Sequence, residues 1–380
     1  MFKKTPKSTS ENISRSNLRS NNLFAVSTFV LSTVLLVACS TGNNAVETKK
    51  LTPHLTSQNT APAVFPFSDP ENTGQWTYNT VVSDEFEADV LDEDRWYIVG
   101  KFKDGKPEYK HPDKPNKKVW TGRAPSQFSG RNYRLEDGKL VLETRWEPDF
   151  PFIKEVHKPV FGEAMPYANI TTACIISRKE FKYGYIEIKS KAADAEVTSA
   201  FWSMGKGVEF DFFELLGYHS EPGKEHLDRQ IWWSIRDWQT LRGKPSYTER
   251  KDLGFRVADA FHIYGIEWNE QGVKYFIDGK LFSQVSAEEV TAWAKENRDV
   301  PADYDGYVAT VPINLWLDQE VFPWVGYPKS KAELEVNSPA DKKDDGVVDY
   351  EIEYVRVWQK TSDSTSNSTN QETKNIALEK

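Results

Sequence analysis

The sequence predicts an all-β protein, a sandwich of two antiparallel sheets, on three observations. Short runs alternating apolar and polar residues recur between turn signals. Only one stretch combines a helix pattern with a helix-start signal. The 13 Trp, 16 Tyr and 21 Phe among 380 residues supply flat apolar faces of the kind a large β-rich core packs, or a sugar ring stacks on. Many strands with one helix imply two sheets burying their apolar faces against each other.

Taken in chain order, the first segment is an address. Lys3, Lys4, Lys7, Arg15 and Arg19 lead into the uncharged stretch from Leu23 to Ala38, which is short against the roughly 20 residues of a membrane span and reads as an export signal. Its end, Leu36-Val37-Ala38-Cys39-Ser40, resembles the bacterial lipobox, where the signal is cut before a cysteine that then carries lipid. The expectation is a signal over 1–38, lipid on Cys39, membrane contact through that lipid alone, and a place in the bacterial cell envelope at the outer membrane or cell surface. The alternative is an ordinary signal with an incidental cysteine. Residues 39–66, rich in Thr, Asn, Ser, Ala and Pro, read as a flexible tether, and 361–380 as a polar disordered tail. The folded domain is expected over 67–360 as a monomer.

Within it, Leu140-Val141-Leu142-Glu143 follows an Asp137-Gly138 turn, and Tyr185-Ile186-Glu187-Ile188-Lys189 follows Gly184. Val273 to Ile277, then Asp278-Gly279-Lys280-Leu281, is a hairpin signature. Asp349 to Trp358 alternates as a long closing strand. The one helix is expected from Ser286 to Asn297, where Ser286 and Glu289 form a capping-box pattern ahead of Val290 and Trp293.

The formal charge of -9 argues against a nucleic-acid partner, which needs a cationic surface to release counterions. No Cys-x-x-Cys or His-Glu-x-x-His spacing holds a metal. Cys174, flanked by Ala173, Ile175 and Ile176, reads as a buried, inert thiol.

Chemistry concentrates between Ala200 and Gly217. In a regular strand Glu209 and Asp211 share one face while Phe210 and Phe212 take the other. Glu214 then points the wrong way. One extra residue accommodated as a β-bulge around Phe212 and Phe213 returns it to the carboxylate face, and bulges re-aim side chains beside active sites. Three acids so crowded cannot all ionise freely, so at least one pKa is expected to rise. Retaining glycoside hydrolysis uses such a pair, with carboxyl groups about 5–5.5 Å apart, one ionised to attack the anomeric carbon and one protonated to release the leaving oxygen. Glu209 and Glu214 fit that pair, with Asp211 placed to hydrogen-bond the nucleophile. The plain alternative is a solvated acidic strand face.

The Glu-x-Asp-x-x-Glu pattern of Glu209, Asp211 and Glu214 resembles the signature of glycoside hydrolase family 16, in the bulged form found in agarases, porphyranases, carrageenases and laminarinases. Ser83-Asp84-Glu85-Phe86 with Trp96, Asp137-Gly138-Lys139-Leu140, Tyr183-Gly184-Tyr185-Ile186-Glu187, Ser199-Ala200-Phe201-Trp202, Phe261 to Trp268 and Tyr354 to Trp358 look like family landmarks in family order. The resemblance implies a jelly roll with a carbohydrate cleft across its concave sheet, Glu209 as nucleophile, Asp211 as assistant and Glu214 as acid/base. Trp120 to Phe128 and Asp318 to Pro328 look like cleft loops of the agarase and porphyranase branch. That implies an endo-acting, retaining hydrolase of a red-algal galactan, of agarose or porphyran type.

In that frame Trp120, Trp202 and Trp324 would be stacking platforms, with core packing as the alternative for each, and Arg123 and Glu320 would hydrogen-bond sugar hydroxyls. Many relatives place a histidine near the cleft where this chain has Arg229, with His226 three residues earlier. An arginine there favours a sulfated unit, as in porphyran or furcellaran-type carrageenan. Arg123, Arg131, Arg229 and Arg236 are candidates to grip a sulfate ester. No cofactor is required; some relatives bind calcium on the convex side, and acids near Asp84 and Asp349 leave a structural ion open, without a recognisable coordination loop. A hydrolase of a sulfated galactan of carrageenan or furcellaran type, a non-catalytic surface glycan-binding lipoprotein and a transglycosylase are the competing readings.

Overall fold

The computed structural model describes residues 64–111, 113–154, 156–157 and 165–360. The expected signal, the lipid site Cys39, the tether up to residue 63 and the tail at 361–380 lie outside the described residues. Two large sheets make the body. The site sheet has seven strands, β1 (Trp96–Ile98), β2 (Cys174–Ser177), β3 (Thr198–Gly205), β4 (Val208–Leu216), β5 (Gln230–Asp237), β6 (Lys244–Asp252) and β7 (Ile313–Asp318), in the order β6-β5-β4-β3-β7-β2-β1. The supporting sheet has ten strands. Its path runs from Lys280–Ser286 through Gly272–Ile277, His262–Asn269, Gly184–Lys191, the closing strand Val347–Lys360, Lys139–Trp146 and Ile170–Thr172 to Ser126–Phe128.

Alternation along these strands builds the core. Phe210, Phe212, Phe213 and Leu215 of β4 and Ile231, Trp233 and Ile235 of β5 meet Tyr264, Ile266 and Trp268 of the supporting sheet. Phe213 and Tyr264 rings lie 4.8 Å apart, Phe201 and Phe212 rings 4.9 Å. Burying each such phenylalanine stabilises the fold by roughly 1.5–3 kcal/mol. A one-residue slip of β4 would bury the acids and expose these rings, so the burial also sets the register.

The expected turns and helix are present. Asp278 and Gly279 take φ of 48° and 76°, the left-handed pair that a two-residue hairpin turn needs, and the flanking strands pair from Ile277↔Lys280 onward. The helix Ala287–Asn297 starts at Ser286, whose Oγ accepts from Glu289 N while the Glu289 carboxylate accepts from Ser286 N. Two short helical pieces, the 3-10 turn Glu225–Arg229 and Lys331–Leu334, have no periodic signal to announce them. One pairing departs from the antiparallel expectation: Ile170–Thr172 runs parallel to Ser126–Phe128. The long excursion between them supplies the crossover that parallel strands require.

Candidate active site

On β4, Glu209, Asp211 and Glu214 share the face turned away from the core. The device is a bulge. Phe201 pairs with Phe213 but Trp202 with Asp211, leaving Phe212 unopposed on β3. On the other side Asp211 pairs with Ser234 and Glu214 with Trp232. Phe212 and Phe213 both enter the core, so the one extra residue returns Glu214 to the side of the other two acids.

Their contacts differ. Asp211, 3% exposed, accepts from Arg236 Nε at 2.8 Å and from the Ser234 hydroxyl. Glu209 Oε2 accepts from Trp238 Nε1 at 2.8 Å, and its Oε1 lies 3.2 Å from Arg236 Nε. Among the described residues, none donates a hydrogen bond to Glu214. Burial first, and the Asp211 charge second, raise the pKa of both glutamates, Glu209 to about 8 and Glu214 to about 7, while Arg236 pulls both down.

Beside the triad stands an aromatic wall. Trp202 stacks on Trp316 at 4.4 Å, donates Nε1–H to Asp318 Oδ2 at 3.0 Å, and takes the edge of Trp120 at 6.2 Å. Arg123 donates from Nε to Glu320 Oε2 at 2.9 Å and sits over the rings of Trp120, Phe322 and Trp324 at 5.2, 5.5 and 5.0 Å. Trp324 stacks on Phe322 at 4.7 Å. The loop bearing it is pinned from below. The His219 ring accepts from Glu221 N at Nδ1 and donates from Nε2 to the Val325 carbonyl at 3.0 Å. A Cβ on Gly326 would lie 2.3 Å from Glu196 Oε1, so a larger residue there would have to push that carboxylate off the Ser220 hydroxyl it accepts from.

These placements modify several expectations. Trp120, Trp202 and Trp324 do converge around Arg123, but Trp202 is only 8% exposed. Packed against Trp316, it forms floor rather than a free-standing platform. Trp324, 39% exposed, and Trp238, 47% exposed, offer the open faces. Trp238 closes the aromatic run 230–238, where no local pattern separates cleft from core. Arg123 and Glu320 hold each other, so Glu320 orients the guanidinium before it meets any hydroxyl. Arg236 is committed to Glu209 and Asp211. Arg131 covers Phe102 at 3.4 Å. Arg229 ends the 3-10 turn before β5, 3.8 Å from Asp228, outside the strand register that organises the triad. Cys174 is buried, which raises its thiol pKa.

The acids suggested for a structural ion are engaged with donors. Asp349 is gripped by Arg134 through two bonds and by Lys342, and Asp84 accepts from Trp96 Nε1 at 2.8 Å.

The family model described as "Beta-porphyranase A-D, GH16 domain" matches residues 76–360. β-Porphyranase B of Zobellia galactanivorans is 26% identical over 317 residues, covering 79% of this chain and 90% of that protein. The crystal structure of porphyranase B from the same organism aligns with a TM-score of 0.51 at 22% identity, covering 75% of this chain and 92% of the other. β-Agarase B of Zobellia galactanivorans aligns with a TM-score of 0.54 at 18% identity, covering 75% and 93%. The jelly-roll sandwich is common to all three.

Proposed function

Because the chain belongs to the β-porphyranase A–D family of GH16 domains, and is on that ground a glycoside hydrolase, we propose that it is an endo-acting, retaining hydrolase of a red-algal galactan of agarose or porphyran type. The observation that carries this reading is the bulge at Phe212, which turns Glu214 to the side of Glu209 and Asp211. A merely solvated acidic face has no use for it.

The two raised pKa values keep at least one proton on the glutamate pair at neutral pH. Contacts decide its place. Trp238 and Arg236 both favour a carboxylate at Glu209, whereas no donor among the described residues favours one at Glu214, so the reading puts the proton on Glu214. This ordering follows the hydrogen bonds, although burial lifts Glu209 the further of the two.

In the first displacement the Glu209 carboxylate attacks the anomeric carbon, the glycosidic carbon–oxygen bond breaks, and Glu214 gives its proton to the departing oxygen. A glycosyl ester on Glu209 results. In the second, Glu214 takes a proton from water as the water oxygen attacks the same carbon and frees Glu209. Asp211, held between the two by Ser234 and Arg236, helps hold their protonation states apart.

Incubating the domain with agarose, porphyran, κ-carrageenan, furcellaran and laminarin and counting new reducing ends tests the reading. Release from agarose or porphyran is expected, and loss of that release in Glu209→Gln with binding kept. Release from laminarin alone would overturn the substrate class. Binding without release from any of the five would favour a glycan-binding lipoprotein.

A further inference from the structure

Beyond Glu214 the exposed face continues onto β5 and the edge strand β6. Glu214 pairs with Trp232, and Trp232 with Arg250, so the three form one row on one face. Two strand spacings, roughly 10 Å, separate the first from the last, a reach that covers the sugars adjoining the scissile bond. We propose that Arg250 is a specificity residue of this site, receiving an anionic substituent of the sulfate-ester class on the sugar that lies over β5. The inference rests on the galactan-hydrolase reading and deepens it.

Three observations carry it. The Arg250 guanidinium lies 3.8 Å over the Trp232 ring. That ring is itself fixed, donating Nε1–H to Gln230 Oε1 at 3.0 Å and packing with Leu216, Leu227 and Phe322. A guanidinium seated over a fixed indole is held there by cation–π attraction and has N–H donors left for a ligand.

Arg250 is exposed, and among the described residues it forms no salt bridge. Three other arginines are engaged: Arg236 holds Glu209 and Asp211, Arg123 holds Glu320, and Arg256 holds Asp194, Asp228 and Asp259. In a chain of net charge -9, Arg250 carries its charge at the far end of the row that begins at Glu214 without a carboxylate in salt-bridge contact among the described residues.

The face it looks onto carries Glu209, Asp211 and Glu214, with Asp318 and Glu320 close by. Those acids repel a polyanion, so a sulfated chain needs a compensating cation there, and Arg250 is positioned to supply it without disturbing the pairs that hold the triad.

The test compares porphyran carrying its sulfate esters with the same polymer after solvolytic desulfation. Arg250→Gln is expected to lower kcat/KM on the sulfated polymer roughly 10- to 100-fold while leaving the desulfated polymer within about twofold of wild type. Arg250→Lys, which keeps the charge but not the fork, should fall between the two. Equal losses on both polymers, or none on either, overturn the role of Arg250. A wild-type enzyme that releases no ends from either polymer overturns the galactanase reading itself, and this inference with it.

Discussion

Replacing Glu214 by Gln should make the protein more stable at pH 8 and leave it unchanged at pH 4. The amide keeps the volume of the carboxyl and never has to carry a buried charge. Below pH 4.5, the ordinary value, Glu214 is neutral in folded and unfolded chains alike. As the pH rises from there to about 7, its folded-state value, the unfolded chain gives up the proton while the folded chain keeps it, and wild-type stability falls. Above about 7 the loss is complete. At about 1.4 kcal/mol per tenfold change in proton affinity this amounts to about 3 kcal/mol. At about 2.1 cal/mol/K of unfolding entropy per residue, a domain of this size shows that as a gap of roughly 5 °C in Tm. Thermal denaturation of wild type and variant across pH 4–9 reads it directly. A Tm gap of the same size at pH 4 and pH 8 would refute the reasoning, because Glu214 would then ionise in the folded protein as it does in the unfolded one. A group already ionised at neutral pH cannot protonate the leaving oxygen, so the acid assignment would fall too.

The same Glu214→Gln variant should retain more of its activity on a substrate with a good leaving group than on the polymer, since less acid assistance is needed; equal losses in kcat/KM would count against its role. Phe212→Ala keeps the bulge and empties a core position, and should cost roughly 3–5 kcal/mol in denaturant unfolding while preserving activity of the folded fraction. Trp238→Phe removes a donor to the Glu209 carboxylate, which raises the Glu209 pKa, so the acid limb of the kcat/KM profile should move to higher pH; an unmoved limb would deny that contact its effect. A lipid on Cys39, which the Leu36 to Ser40 sequence supports, predicts that Cys39→Ala releases the protein from the membrane fraction of the expressing bacterium, as read by fractionation and blotting.

Some of this was readable before any coordinate. Alternation of Glu209 and Asp211 with Phe210, the mis-phased Glu214, the Asp278-Gly279 hairpin and the Ser286–Glu289 capping box all depend on residues within a few positions of one another. Their physics, the two-residue period of a strand, the left-handed turn and reciprocal capping, is local. The bulge was legible for the same reason, since only one extra residue reconciles three acids with a core of phenylalanines.

Partnership was not legible. Arg123 meets Glu320 across 197 positions, and Trp202 meets Asp318 across 116. Whether an indole is floor, as Trp202 is, or open to solvent, as Trp238 is, depends on which loops fold over it. The row from Glu214 through Trp232 to Arg250 exists only because three strands pair in one order and one register. By itself, then, the sequence determined which side chains each strand turns outward, while the tertiary structure decided which charges those side chains meet and which aromatic faces stay open. Sheet order joins residues by pairing across strands, and no spacing along a single chain encodes that distance.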